Sequence, residues 1–166
     1  MTRSKVVIQP MASEDIPACV QIITENELWK LYGVTPHSAE QMFISALAGG
    51  AKLIVAKLDG QTAGFAWCVF HGAWDRSAYL RLIGVLPAFQ RLGIGDCLLQ
   101  AVEEMAARVV QDIFLLVTDS NTSGQRFYLR SGYTQVGAIP DYVVKGITEL
   151  VFYKRLSGRK ANANWE

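Results

Sequence analysis

Residues 90–95, Gln90-Arg91-Leu92-Gly93-Ile94-Gly95, stand between an apolar run of strand type and a long stretch of helical periodicity. That position suits an anion. The first turn of a helix carries unpaired N–H groups and a partial positive charge. Glycine lets the backbone approach a phosphate and take turns closed to other residues. Arg91 adds a full charge. The loop therefore has the chemistry of a pyrophosphate site, although a plain strand-to-helix turn would use the same two glycines. It is neither of two familiar nucleotide loops. A Walker loop needs a lysine and a hydroxyl residue after its last glycine. A dinucleotide fingerprint needs a third glycine, in the first strand–helix–strand unit of its domain.

The elements that must hold this loop follow from pattern. Residues 5–9 form a β-branched run stopped by Pro10. Ser13, with Glu14 and Asp15 behind it, opens a helix whose apolar face is Ile16, Val20, Ile23 and Leu28. Ser38 opens a second helix, through Ala48, which Gly49-Gly50 ends. Residues 28–36 lie between them as a Trp- and Tyr-bearing connection. Strands follow at 53–58, 63–70 and 78–85. Asp59-Gly60 turns the first pair and the loop 72–75 turns the second. Gly84 inside the third strand marks a bulge or a close backbone approach. Leu98, Leu99, Val102, Met105 and Ala106 line one face of the helix that begins at Ile94. A buried-type strand at 112–118, a short helix at 122–130 and strands at 133–136 and 150–154 complete the order.

Composition narrows the function. The 166 residues are 51% hydrophobic and 19% charged, with a net charge of +1. That is one folded domain, read over 1–166, with a polar tail at 157–166 expected to fray. It lacks the concentrated basic face that nucleic acid demands. No apolar run reaches the roughly 18 residues of a membrane span. The first seventeen residues are too polar for a secretory signal. Cys19, Cys68 and Cys97 fit no disulfide framework, and the expected setting is the reducing cytoplasm. His37 and His71 have no ligand-like spacing, so no metal is expected.

Leu82-Ile83-Gly84-Val85-Leu86-Pro87, followed by the glycine loop, resembles motif A of the GNAT acetyltransferases, a Val-x-Pro before Gln/Arg-x-x-Gly-x-Gly/Ala. Asn121-Thr122-Ser123-Gly124-Gln125-Arg126-Phe127-Tyr128, then Ser131-Gly132-Tyr133, is similar to motif B, with Gly124 where alanine is usual. With the strand meander, the likeness covers roughly residues 5–156. It implies an α/β (α+β) GNAT fold: a mixed, mostly antiparallel twisted sheet of six to seven strands with helices on both faces. It also implies acetyl-CoA as cosubstrate. Ile83, Gly84 and Val85 would offer main-chain groups to the pantetheine arm. Gln90, Arg91, Leu92, Gly93, Ile94 and Gly95 would cradle the pyrophosphate, with Asp96 turned away from it. Asn121 would bond the pantetheine, cap its helix, or do both.

The implied activity is N-acetylation of a primary amine, on a small molecule or a peptide, by direct attack in a ternary complex. A non-catalytic acyl-CoA sensor of the same fold is the alternative. Tyr128 is the expected general acid on the coenzyme sulfur, against a plain packing role. Main-chain N–H groups near Gly84 and Val85 are expected to steady the developing oxyanion. In part of the family an acid on the strand before motif A serves as base, and here that position is Tyr79. Glu27, Asp75, Asp141 and Glu149 are the substitutes. Trp29, Tyr32, Trp74 and Tyr142, with those acids, are the expected substrate-facing set; a hydrophobic lid or a homodimer seam would use the same aromatics. The segment Ile139-Pro140-Asp141-Tyr142 with Gly146 is similar to acetylases of protein N-termini.

Overall fold

A computed structural model of the chain describes residues 5–157. Of the tail expected to fray, residues 158–166 lie outside the described residues. Seven strands form one sheet: β1 (Val6–Pro10), β2 (Lys52–Leu58), β3 (Gln61–Ala73), β4 (Ser77–Val85), β5 (Asp112–Thr118), β6 (Thr134–Pro140) and β7 (Thr148–Arg155). Their spatial order is β1-β2-β3-β4-β5-β7-β6. Only β4 and β5 run parallel; the other neighbours are antiparallel, so the sheet is mixed as expected. The helices are α1 (Ile16–Thr24), α2 (Glu27–Lys30), α3 (Pro36–Ala48), α4 (Ile94–Ala106) and α5 (Thr122–Arg130).

The two faces of the sheet are both covered, and the period-2 alternation of strand side chains sorts them. Ile113, Leu115 and Val117 of β5 join Leu98, Leu99 and Val102 of α4 and Tyr128 of α5 in one core. Phe65 and Trp67 of β3 join Ile22 and Ile23 of α1 and Phe43 of α3 in the other. Phe43 meets Phe65 edge-on, with ring centres 5.1 Å apart. Such a pair adds about 0.5–1.5 kcal/mol beyond its buried area.

Local details depart from the sequence reading where side chains find better partners. The first turn is a 3-10 turn, Ser13–Asp15, and Ser13 makes no cap. Asp15, buried, instead accepts the Ala12 N–H at 2.9 Å and the Thr62 hydroxyl at 2.7 Å. The second long helix begins at Pro36, because Thr35 caps it and Ser38 closes the box by accepting the Thr35 N–H. The connection at 28–36 holds the short helix α2, capped by Asn26. β3 runs on to Ala73, so the turn to β4 is only residues 74–76. Trp74 and Asp75 supply its positive φ angles of 52° and 56° where Asn-Gly would be usual. β6 continues to Pro140, four residues past the expected end.

Two features of β4 shape the molecule. Trp67 pairs with Leu82 but Cys68 pairs with Leu80, so Arg81 is an extra residue, a β-bulge. The parallel ladder with β5 holds only from Ala78↔Ile113 to Leu80↔Leu115. Beyond Leu80 the two strands part. Gly84 lies in the diverging segment as a close approach: a β-carbon there would sit 2.5 Å from Ile22 Cγ2 and 3.0 Å from Trp29 Cη2. Gly84→Ala should therefore overpack this contact and lower stability by about 1–3 kcal/mol. The check is the urea midpoint at unchanged slope.

Candidate active site

Where β4 and β5 part, a cleft of about 400 Å³ opens. Tyr79, Leu80, Arg81, Leu82 and Ile83 of β4 form one wall, and Leu116, Val117 and Thr118 of β5 the other. Because the ladder has ended, main-chain groups of both strands face the opening rather than each other. Asn121 and Tyr128 reach it from α5, and Leu28, Trp29 and Tyr32 from the α1–α3 connection.

At the far end of β4 the chain enters α4 through the glycine loop. Arg91 and Gly93 both have positive φ, 62° and 79°, which turns the chain sharply into the helix. Gly93 is the helix cap and offers no side chain to it. The first amide to bond back is Cys97, to the Gly93 carbonyl. Among the described residues no acceptor takes the N–H groups of Ile94, Gly95 or Asp96. A β-carbon on Gly93 would meet nothing within 4 Å. Open space before three unpaired N–H groups is what a bound phosphate requires. Asp96 is turned aside, its carboxylate paired with Arg130 Nη2 at 3.1 Å. Gln90 lies outside this cradle's hydrogen bonds, its amide contacting the Val85 carbonyl at 3.4 Å. Arg91 and Leu92 are exposed beside it.

Asn121 caps α5, its side-chain oxygen accepting the Gly124 N–H at 2.9 Å. A β-carbon at 124 would lie 2.5 Å from Asn121 Nδ2. The glycine that departs from motif B thus lets Asn121 fold tightly over the helix while still lining the cleft. Tyr128 stacks edge-on against Phe127 and Tyr133, at 5.0 and 5.5 Å. Packing and access coexist: the ring belongs to the α4 core, and the residue also lines the cleft. Burial holds this phenol well above the usual tyrosine range, with Tyr79 adding to the effect.

The opposite face of the sheet brings a carboxylate to the same opening. Glu149 pairs with Thr118 across β7 and β5 and is 4% exposed. The Tyr32 hydroxyl donates to Glu149 Oε1 and lies in hydrogen-bond contact with the Thr118 hydroxyl. Burial first, then Glu149, push the Tyr32 phenol up to about 12. Arg81 lies over the Trp67 ring at 4.5 Å. Burial raises the Tyr79 phenol as well; Tyr142 and Glu149 add to this, and Arg81 works against it. Tyr79 therefore stands near both charges.

Of the eight residues expected to face a substrate, Trp29, Tyr32 and Glu149 line the cleft. Glu27 is exposed and paired with Lys30. Trp74, 74% exposed, packs edge-on against Phe114. The Asp75 carbonyl contacts His71 at 3.1 Å in the β3–β4 turn. Asp141 accepts the Gly146 N–H at 2.5 Å within the β6–β7 loop. Tyr142 is exposed at that loop, close enough to influence Tyr79. Sequence reasoning passed over Arg81, Tyr79 and Thr118 as site residues. The available signal was a lone charge in the apolar run Leu80–Val85. No group of three or more His, Cys, Asp or Glu among the described residues could hold a metal ion. No helix among them is long and apolar enough to cross a membrane.

A family model described as an acetyltransferase (GNAT) domain matches residues 19–156. The chain is 26% identical over 157 residues to an uncharacterised N-acetyltransferase of Methanocaldococcus jannaschii, covering 93% of this chain and 94% of that one. A GNAT-family protein from Desulfovibrio desulfuricans superposes with a TM-score of 0.78 at 18% identity, over 92% of this chain and all of that one. A Salmonella typhimurium protein solved with acetyl-CoA as its cofactor superposes at 0.74 and 19% identity, over 96% and 99%.

Proposed function

The chain belongs to the GNAT acetyltransferase family, and on that premise we propose that it binds acetyl-CoA and transfers the acetyl group to a primary amine. The observation that carries the reading is the junction of two sites in one opening. Unpaired helix N–H groups lie at one end, and a phenol and a carboxylate approach the gap between β4 and β5 from opposite faces. Ile94, Gly95 and Asp96 N–H would hold the pyrophosphate, with Arg91 close by. Ile83, Gly84 and Val85, whose edge has left the β5 ladder, would take the pantetheine arm together with Asn121.

The thioester supplies an activated acetyl carbon: a carbon–nitrogen bond forms to the amine and the carbon–sulfur bond breaks. The chain's part is to manage two protons and one transient charge. The amine must lose a proton; at pH 7 a lysine side chain is only about one part in 2,500 neutral and an α-amine roughly one part in seven. Glu149, buried and aimed at the cleft, is the acceptor for that proton, directly or through a water. Tyr32 orients the carboxylate by donating to it. Unpaired β4 N–H groups stabilise the oxyanion. Tyr128 gives its proton to the departing sulfur. Burial raises its affinity for that proton, so the phenol first steadies the departing thiolate by a hydrogen bond, and the transfer completes only as negative charge builds on sulfur.

Calorimetric titration with acetyl-CoA, desulfo-CoA and ADP, followed by thiol release over an amine panel, tests the reading. Micromolar binding with turnover supports it. Binding without turnover on any amine favours an acyl-CoA sensor, and no binding by folded protein removes both. Tyr128→Phe should lower kcat about 10²-fold or more while leaving acetyl-CoA affinity nearly unchanged, since only the proton donor is lost. Equal turnover in the two proteins would take Tyr128 out of the mechanism.

A further inference from the structure

The cleft holds two opposite charges that do not neutralise each other. Arg81 has no carboxylate partner among the described residues; its guanidinium rests on the Trp67 ring. Among the described residues Glu149 has no cation beside it; it is buried, and its side chain accepts from Tyr32. A buried carboxylate without a cation is expensive to keep, unless a ligand brings the charge. Arg81 is exposed and lines the cleft at its rim. Strict alternation would send residues 81 and 82 to opposite faces of the sheet. The bulge turns both toward the α1–α3 side, where Leu82 and Trp67 share a core and where Tyr32 and Glu149 meet. Tyr79, one turn of the pleat away, senses Arg81 and Glu149 together.

We propose that the acceptor is a free α-amino acid with an uncharged, apolar side chain, its amine presented at Glu149 and its carboxylate bound by Arg81. The inference rests on the acetyl-transfer reading and names the substrate class for it. A guanidinium matches a carboxylate in two parallel hydrogen bonds, which fixes orientation as well as charge. A peptide N-terminus carries a neutral amide where the carboxylate would be and leaves Arg81 without a counter-charge. A polyamine would meet Arg81 as a repelling neighbour. Asn26 and Thr118 add polar groups to the lining, but Leu28, Trp29, Val34, Met42 and Leu82 give it an apolar stretch, which selects the side chain.

Leucine, methionine and phenylalanine are compared with their carboxamides and with tripeptides beginning in the same residues, by thiol release at saturating acetyl-CoA. Calorimetry of the same compounds into CoA-loaded protein reads binding without chemistry. At least one free acid should exceed its amide and its tripeptide tenfold or more in kcat/KM. Arg81→Met should close that gap, and Arg81→Lys should reopen part of it. Amides or tripeptides that match the acids, a set of acids that neither binds nor reacts, or an Arg81→Met that lowers acid and amide alike would overturn the proposal. Selective binding of an acid without turnover would keep the zwitterion site and remove the acetyl-transfer reading. Turnover of amides without preference for acids would do the reverse.

Discussion

Glu149→Gln should lower kcat/KM for acetyl transfer by about 10²–10⁴-fold, the range a positioned general base contributes. Glutamine keeps an oxygen that can accept from Tyr32, so the cleft should keep its shape while losing the proton acceptor. Acetyl-CoA affinity should change little, because the cradle at α4 lies at the other end of the site. Steady-state rates and calorimetry on the same preparation separate the two effects. A variant that turns over normally would show that the amine loses its proton elsewhere. The contrast set is already in the chain: Glu27, exposed and paired with Lys30, and Asp75 and Asp141, exposed in turns, should each tolerate neutralisation with less than a threefold change.

Gly93→Val should weaken acetyl-CoA binding by 100-fold or more, roughly 2.7 kcal/mol. The cause is conformational before it is steric. Gly93 caps α4 at a φ of 79°, and a β-branched residue there is strained by about 1–3 kcal/mol. The open space around its missing β-carbon means no protein atom opposes the substitution directly. The strain is relieved by rotating the cap, and that turns the N–H groups of Ile94, Gly95 and Asp96 away from a common point. Gly93→Ala, without the branch, should lose less. Calorimetry gives the affinity and circular dichroism the fold. Unaltered affinity in a folded Gly93→Val would move the pyrophosphate off this helix.

The features of the proposed coenzyme site were legible in the sequence, because they are local. The stretch 91–96 carries the argument: glycine at a positive φ, a helix start with nothing to cap it, and an arginine nearby, while Gln90 turns out to contact Val85 instead. Asn121 and Tyr128 share one helix, so their spacing carries into space unchanged. The alternation of strand and helix patterns likewise led to a mixed sheet covered on both faces. What misled the reading were competitions between side chains for a cap, as at Ser13 and Ser38, where several residues of similar type stood within three positions.

The other end of the cleft was decided by tertiary structure. Four acids were equivalent candidates in the sequence, and only the pairing of β7 with β5 buries one of them beside the opening. Its partner Tyr32 is 117 residues away, a contact that no local pattern encodes. Arg81 reads as one charge in a strand until a single unpaired residue in the β3–β4 register turns it toward the cleft. Side-chain type and short-range spacing set the open helix start at Gly93, since backbone conformation follows from them directly. Which charged side chains share the cleft depended on sheet register and on how far two parallel strands stay together, and those are properties of the whole packed sheet.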